Sequence, residues 1–145
     1  MYGLFDISTS GMVAQRVRLE AASANLANKD SLYDSQGRLN PYKRREVVLA
    51  PGGADSAQGP PDRRIFGVRV AEIAIDESAT QAGRYDPGSP VAYKDGPLKG
   101  YVAQTGVNPV VEQVNALEAV RAYEANVSAA EATKQMVASA LRLLA

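Results

Sequence analysis

The most regular hydrophobic pattern in the chain lies at its C-terminal end. From Ala116 on, alternating steps of three and four pick out a bulky seam of Ala116, Val120, Tyr123, Val127, Ala130, Lys134, Val137, Leu141 and Leu144. One position back runs a seam of smaller residues, Ala119, Ala122, Asn126, Ala129, Thr133, Met136, Ala140 and Leu143. Neighbouring positions on a helix differ by about 100°, so these are two faces rather than one. The third face (Glu118, Arg121, Ala125, Ser128, Ala132, Gln135, Ser139, Arg142) is only mildly polar. An ordinary surface helix shows one apolar stripe and a heavily charged back. Asn108 suits an N-cap, Pro109 is preset for the first turn, and neither glycine nor proline follows. The spacing predicts one helix of roughly 50 Å over 108–145, built to touch helices on more than one side.

A second helical pattern, free of proline, runs from about Leu4 to Asn28. Phe5, Met12, Leu19 and Leu26 recur at heptad spacing, beside a smaller set of Leu4, Ile7, Gly11, Ala14 and Ala21. Gly11 within a helix costs about 1 kcal/mol relative to alanine. Close approach of another helix accounts for it; a merely tolerated glycine is the plain alternative. Arg16, Arg18 and Glu20 fall on an outer face, and Asn25, Asn28, Asp30 and Ser31 are expected to compete with the helical backbone and end it.

Between the helices the pattern breaks up. Gly37, Pro41, Pro51, Gly52, Gly53, Gly59, Pro60 and Pro61 divide the middle into short pieces. Tyr42 to Leu49 reads as a strand, and Pro51 to Asp62 as a loop. Phe66 to Ile75 is the best strand: Phe66, Val68 and Val70 alternate, then Ile73 and Ile75 change face, as a bulge near Ala71 and Glu72 would cause. Asp86-Pro87-Gly88 and Asp95-Gly96-Pro97 are turn signals, and Gly100 to Ala103 adds a short strand. The expected organisation is an N-terminal helix (1–30), an irregular, short-stranded middle (31–107) and a C-terminal helix (108–145).

Composition removes several kinds of chemistry. Formal net charge is zero, and there is no histidine and no cysteine, so neither bulk attraction to nucleic acid nor the usual thiolate and imidazole metal sites are expected. Lys43-Arg44-Arg45 and Arg63-Arg64 read as solvated or intersubunit salt bridges rather than a nucleic-acid patch. Asp76, Glu77, Asp86 and Asp95 match no calcium-loop spacing, and turn chemistry explains Asp86 and Asp95. With no phosphate loop and no nucleophile elbow, no enzymatic activity, cofactor, metal or small-molecule substrate is expected. No run of about 18 apolar residues, the length needed to span a bilayer, is present, and Met1 to Phe5 does not read as the start of a secretory leader, so neither a membrane span nor a cleaved signal is expected.

The middle is too poor in large apolar residues to cover both end helices. Packed as one hairpin, the two would leave the second C-terminal seam in water, and at roughly 25 cal/mol per Å² that surface favours association. Because the two seams differ, contacts between copies would be head-to-tail, giving rings or open helical filaments. The fold class expected is mainly α with a small β region, its long terminal helices packing as an intermolecular coiled-coil layer around an extended middle. A monomeric bundle with the middle folded over the seam is the alternative.

Several stretches bear a family likeness. Asp6-Ile7-Ser8-Thr9-Ser10-Gly11-Met12, Ala14-Gln15-Arg16 and Asn25-Leu26-Ala27-Asn28 resemble the N-terminal signature of bacterial flagellar rod and hook proteins. Arg121-Ala122-Tyr123-Glu124-Ala125-Asn126-Val127, then Lys134 and Met136, resemble the matching C-terminal signature. Gly67-Val68, Tyr85-Asp86-Pro87 and Gly100-Tyr101-Val102 are similar to proximal rod proteins of the C type. Ser89-Pro90 and Thr105-Gly106-Val107-Asn108 depart from that family's usual His-Pro and Pro-Asn-Val-Asn.

The resemblance implies a structural subunit of the periplasmic basal-body rod, exported by the flagellar type III apparatus and transmitting torque from motor ring to hook around an axial channel. Its implied partners are copies of itself, other rod proteins, the motor-ring/rod adaptor and the export apparatus. It implies that Met12, Leu19 and Leu26, with Phe5, Ile7 and Ala14, pack against Val120, Tyr123, Val127, Ala130, Val137, Leu141 and Leu144 of the same or adjacent subunits. Gly11, Ala119, Ala122, Asn126, Ala129 and Met136 would lie at the closer contacts. A cytoplasmic coiled-coil adaptor or scaffold is the competing reading.

Overall fold

The computed structural model describes residues 2–52, 67–77 and 81–144. The expected loop beyond Gly52, Arg63, Arg64, Phe66 and the side chains of Leu4 and Leu144 lie outside the described set. Helix α1 (Tyr2–Ala27) is followed by β1 (Arg45–Pro51), β2 (Val68–Ile75), β3 (Gln81–Tyr85), β4 (Tyr101–Gln104) and helix α2 (Pro109–Leu144). The architecture is mainly α with a small β part, as the hydrophobic periodicity predicts.

Both helices have identifiable ends. Asn108 caps α2: its Oδ1 accepts from Val110 N at 3.0 Å and Val111 N at 3.5 Å, and Pro109 takes the first helical position. At the end of α1, Asn28 Nδ2 and N both donate to Ala24 O, and Ser31 N donates to Asn28 O. Asn28 therefore closes the helix as expected. Asn25 does not, because it sits within α1 and its amide is engaged elsewhere.

The helices run antiparallel. Gly11 lies against Asn126 and Asn25 against Glu112, and the same number of residues separates each pair of positions along its own helix. The packed line is the seam of small residues: Gly11, Ala14 and Ala22 are buried on α1, Ala119 and Thr133 on α2. A Cβ on Gly11 would fall 2.5 Å from Asn126 Oδ1, so this glycine marks the close helix approach inferred from the sequence.

β1 and β2 form an antiparallel ribbon, with Val48 opposite Glu72 and Leu49 opposite Val70. Ala71 is thus the extra residue of a bulge, where the slipped alternation places it. Polar side chains of α1 hold the ribbon near both ends. Ser10 Oγ accepts from Val68 N at 3.2 Å while donating to Ile7 O, and Asn25 takes both main-chain groups of Arg45. Gly67, at φ +125°, passes so near that a Cβ would lie 2.5 Å from Ser10 Oγ.

β3 and β4 form a second antiparallel pair, and β3 has no counterpart in the sequence reading. Tyr85 and Tyr101 meet edge-to-face across it, 5.3 Å between centroids. Thr105 Oγ1 ties this unit to the turn that follows α1 by donating to Lys29 O. Asp86 and Asp95 serve turns as expected: Asp86 Oδ1 accepts from Gly88 N, and Gly96 follows Asp95 at φ +84°.

The Gly11–Asn126 contact has a measurable consequence. Gly11→Ala gains about 1 kcal/mol of helix propensity but overpacks the interface by about 1–3 kcal/mol. The expected net result is a lower unfolding midpoint. Adding Asn126→Ala restores it, as a double-mutant cycle in denaturant will read out.

Candidate functional site

Among the described residues the two largest fully buried side chains are not apolar. They are Glu112, 1% exposed, and Asn25, 0% exposed, whereas the buried apolar residues are alanines and Val107. Asn25 Oδ1 accepts from Arg45 N at 2.9 Å and from Tyr42 Oη at 3.1 Å. Its Nδ2 donates to Arg45 O and to Glu112 Oε2, each at 2.9 Å. Two donors face the oxygen and two acceptors face the nitrogen, so the amide has one satisfied orientation.

Glu112 is held from several directions. Arg44 Nε donates to Oε1 at 2.8 Å, with Asn115 Nδ2 at 3.5 Å from the same oxygen. Glu112 also lies in the first turn of α2, where the exposed amides favour negative charge. Hydrogen bonding to Glu112 is the main influence raising the Arg44 pKa, against the opposing effect of burial. Arg44 is therefore paired within the chain, a correction to the solvated or intersubunit role expected for Lys43-Arg44-Arg45. Lys43 pairs with Glu77 at 3.3 Å, and Arg45 lies over the Tyr42 ring at 5.8 Å.

The surface seam is arranged differently. On α1, Phe5, Ile7, Met12, Leu19 and Leu26 are half-buried, Gly11 and Ala14 are buried, and Ala27 is exposed. On α2, Ala119 is buried, and Ala122, Asn126, Val127, Ala130 and Val137 are half-buried. Val120 is 37%, Tyr123 41%, Met136 62% and Leu141 60% exposed, and Ala129, Arg121 and Glu124 are exposed too. Besides Glu112, the buried contacts of α2 with α1, Ala119 and Thr133, lie on the small seam, Ala116, Val127, Ala130 and Val137 of the bulky seam flank them half-buried, and Val120, Tyr123 and Leu141 remain outside. Tyr123 in particular is not packed within the single chain.

Two features escape the sequence reading. Val110, Val111, Val114 and Leu117 add exposed apolar surface at the start of α2; Val110, Val114 and Leu117 stand at helical spacing just before Arg121, which is the signal that finds them. Glu112 looks like one more first-turn acid, and only tertiary pairing shows it buried. Among the described residues no group of three or more acidic, histidine or cysteine side chains is placed to hold a metal, and no helix is long and apolar enough to cross a membrane.

Comparison with known proteins agrees on one family. A family model described as flagellar basal body rod FlgEFG protein C-terminal matches residues 98–143. The chain is 37% identical over 147 residues to the flagellar basal-body rod protein FlgC of Escherichia coli O6:H1, covering 99% of this chain and 97% of that protein. It is 34% identical over 143 residues to FlgC of Buchnera aphidicola, with the same coverage. Against FlgC of Bacillus subtilis the identity is 36% over 146 residues, covering 95% of this chain and 94% of that protein.

Asn25→Asp tests the buried cluster. It replaces the Nδ2 donor facing Glu112 with a second carboxylate and is expected to cost about 3 kcal/mol at neutral pH. Like-charge repulsion raises the folded-state pKa of the introduced carboxyl above its unfolded value of about 3.9. The folded form then binds the extra proton more tightly, so the deficit relative to the native sequence shrinks as pH falls through that window. Urea unfolding at pH 4 and pH 7 measures both.

Proposed function

Because the chain belongs to the FlgC family of flagellar basal-body rod proteins, we propose that the exposed seam of α2 is the surface through which it assembles in the rod. Membership makes it a structural subunit of the basal-body rod, located there, in a family that is not one of enzymes. The observation that carries the seam assignment is the exposure of Val120, Tyr123 and Leu141 on a helix that pairs with α1 by its other, smaller side. Surface of that kind gains by being covered.

On this reading residues 1–30 and 108–145 form the assembly layer, and 31–107 reaches neighbours outside it. Phe5, Ile7, Met12, Leu19 and Leu26 close the other side of the contact with Val120, Tyr123, Val127, Ala130, Met136, Val137, Leu141 and Leu144. Arg121 and Glu124, which make no ion pair with another described residue, meet partner charges across it. Copies of this chain, other rod proteins, the motor-ring/rod adaptor and the type III export apparatus are its partners. The resulting tube, an intermolecular coiled-coil layer, transmits torque and encloses the export channel.

Val120→Asp tests the seam without disturbing the helix pair. Single-chain stability is expected to change by no more than about 0.5 kcal/mol, with expression and type III-dependent export intact. A charge desolvated in the interface stops assembly, so rods and motility are lost. Normal motility in this variant counts against the seam. Failure of the native chain to be exported in a type III-dependent manner would favour a cytoplasmic adaptor.

A further inference from the structure

We infer that the Asn25–Arg44–Glu112 network is a register lock, fixing which turn of α2 lies against which turn of α1. The sterics of the helix interface do little to select that alignment. Among the described residues, its buried positions outside the network are Ser8, Gly11, Ala14 and Ala22 on one side and Ala119 and Thr133 on the other. Sliding α2 by one heptad in either direction sets Gly11 against Thr133 or Ala119 instead of Asn126. Thr133 is about the size of Asn126 and Ala119 is smaller, so Gly11 meets a residue of similar or smaller size in all three alignments.

The polar atoms do discriminate. In one alignment only, Asn25 Nδ2 reaches Glu112 Oε2 while Arg44 Nε reaches Glu112 Oε1, at 2.9 and 2.8 Å. A slipped pair places Asn25 opposite Ala119 or in front of the cap of α2, and it carries Glu112 level with Arg18 or past the end of α1, so Asn25 Nδ2 and the Arg44 guanidinium both lose the acceptor they share. A buried amide or a partly buried cation stripped of its acceptor is costly. An intact buried ion pair, by contrast, is often matched in stability by apolar residues of similar size. The network therefore acts by penalising the wrong alignments. Because Arg44 directly precedes β1 and Asn25 grips Arg45, the same lock sets where the β1–β2 ribbon sits on the helices.

The chain has no cysteine, so pairs can be installed freely. Arg18 and Glu118 meet on the outside of the helix pair at 3.7 Å. Arg18→Cys with Glu118→Cys reports the native alignment, and Arg18→Cys with Ala125→Cys reports the one-heptad slip. Each pair is treated with a short thiol cross-linker, in the native background and in one carrying Asn25→Leu, Arg44→Met and Glu112→Met. In the native background the Glu118 pair is expected to cross-link at least about tenfold better than the Ala125 pair. In the apolar background the two are expected to become comparable while helicity by circular dichroism is kept. Retained preference for the native pair in a fully helical apolar variant overturns the lock. So does loss of helicity, since that assigns the network to stability instead. Both readings come from the isolated chain and are independent of the assembly seam.

Discussion

A carboxylate that is almost wholly withdrawn from water must be answered on every side, and Glu112 is answered by three segments of the chain. The start of α2 provides the favourable end of a helix, α1 provides the Asn25 amide, and the strand entry provides the Arg44 guanidinium. Asn25 and Arg44 are far from Glu112 in sequence and from each other. Their meeting defines the relative placement of α1, β1 and α2, and with it the position of the ribbon whose other end is held by Ser10.

This arrangement leaves an imbalance between inside and outside. The buried apolar residues are small, while large apolar side chains remain on the surface of α2 from Val110 to Leu143. A helix pair sealed by alanine and glycine allows close backbone approach but contributes little transfer energy per residue. The larger side chains leave theirs unrealised within the single chain.

Much of this was legible in the order of residues. The C-terminal helix, its Asn108 cap, the two seams, the close approach at Gly11 and the bulge at Ala71 all follow from spacing and local stereochemistry. What sequence periodicity could not decide was which α2 residues face α1: bulk alone favours the larger seam, but the buried seam positions, Ala119 and Thr133, belong to the smaller. Asn25 was mistaken for a helix terminator because that is what asparagine does locally, and its four bonds come from partners far along the chain. Arg44 was misjudged for the same reason. The β3 strand escaped because Gln81 to Tyr85 holds little apolar alternation and depends on pairing with β4.

A core of methyl groups and amides also shapes how the subunit responds to its surroundings. Separating such helices wets less large hydrocarbon than parting a leucine-filled interface would, so the accompanying heat-capacity change is smaller. Greasy contact weakens by degrees as surfaces drift apart, but a set of directional bonds around one ion is either closed or broken. Cohesion in this molecule is consequently closer to a latch than to an adhesive: stiff up to its limit, with little give before it.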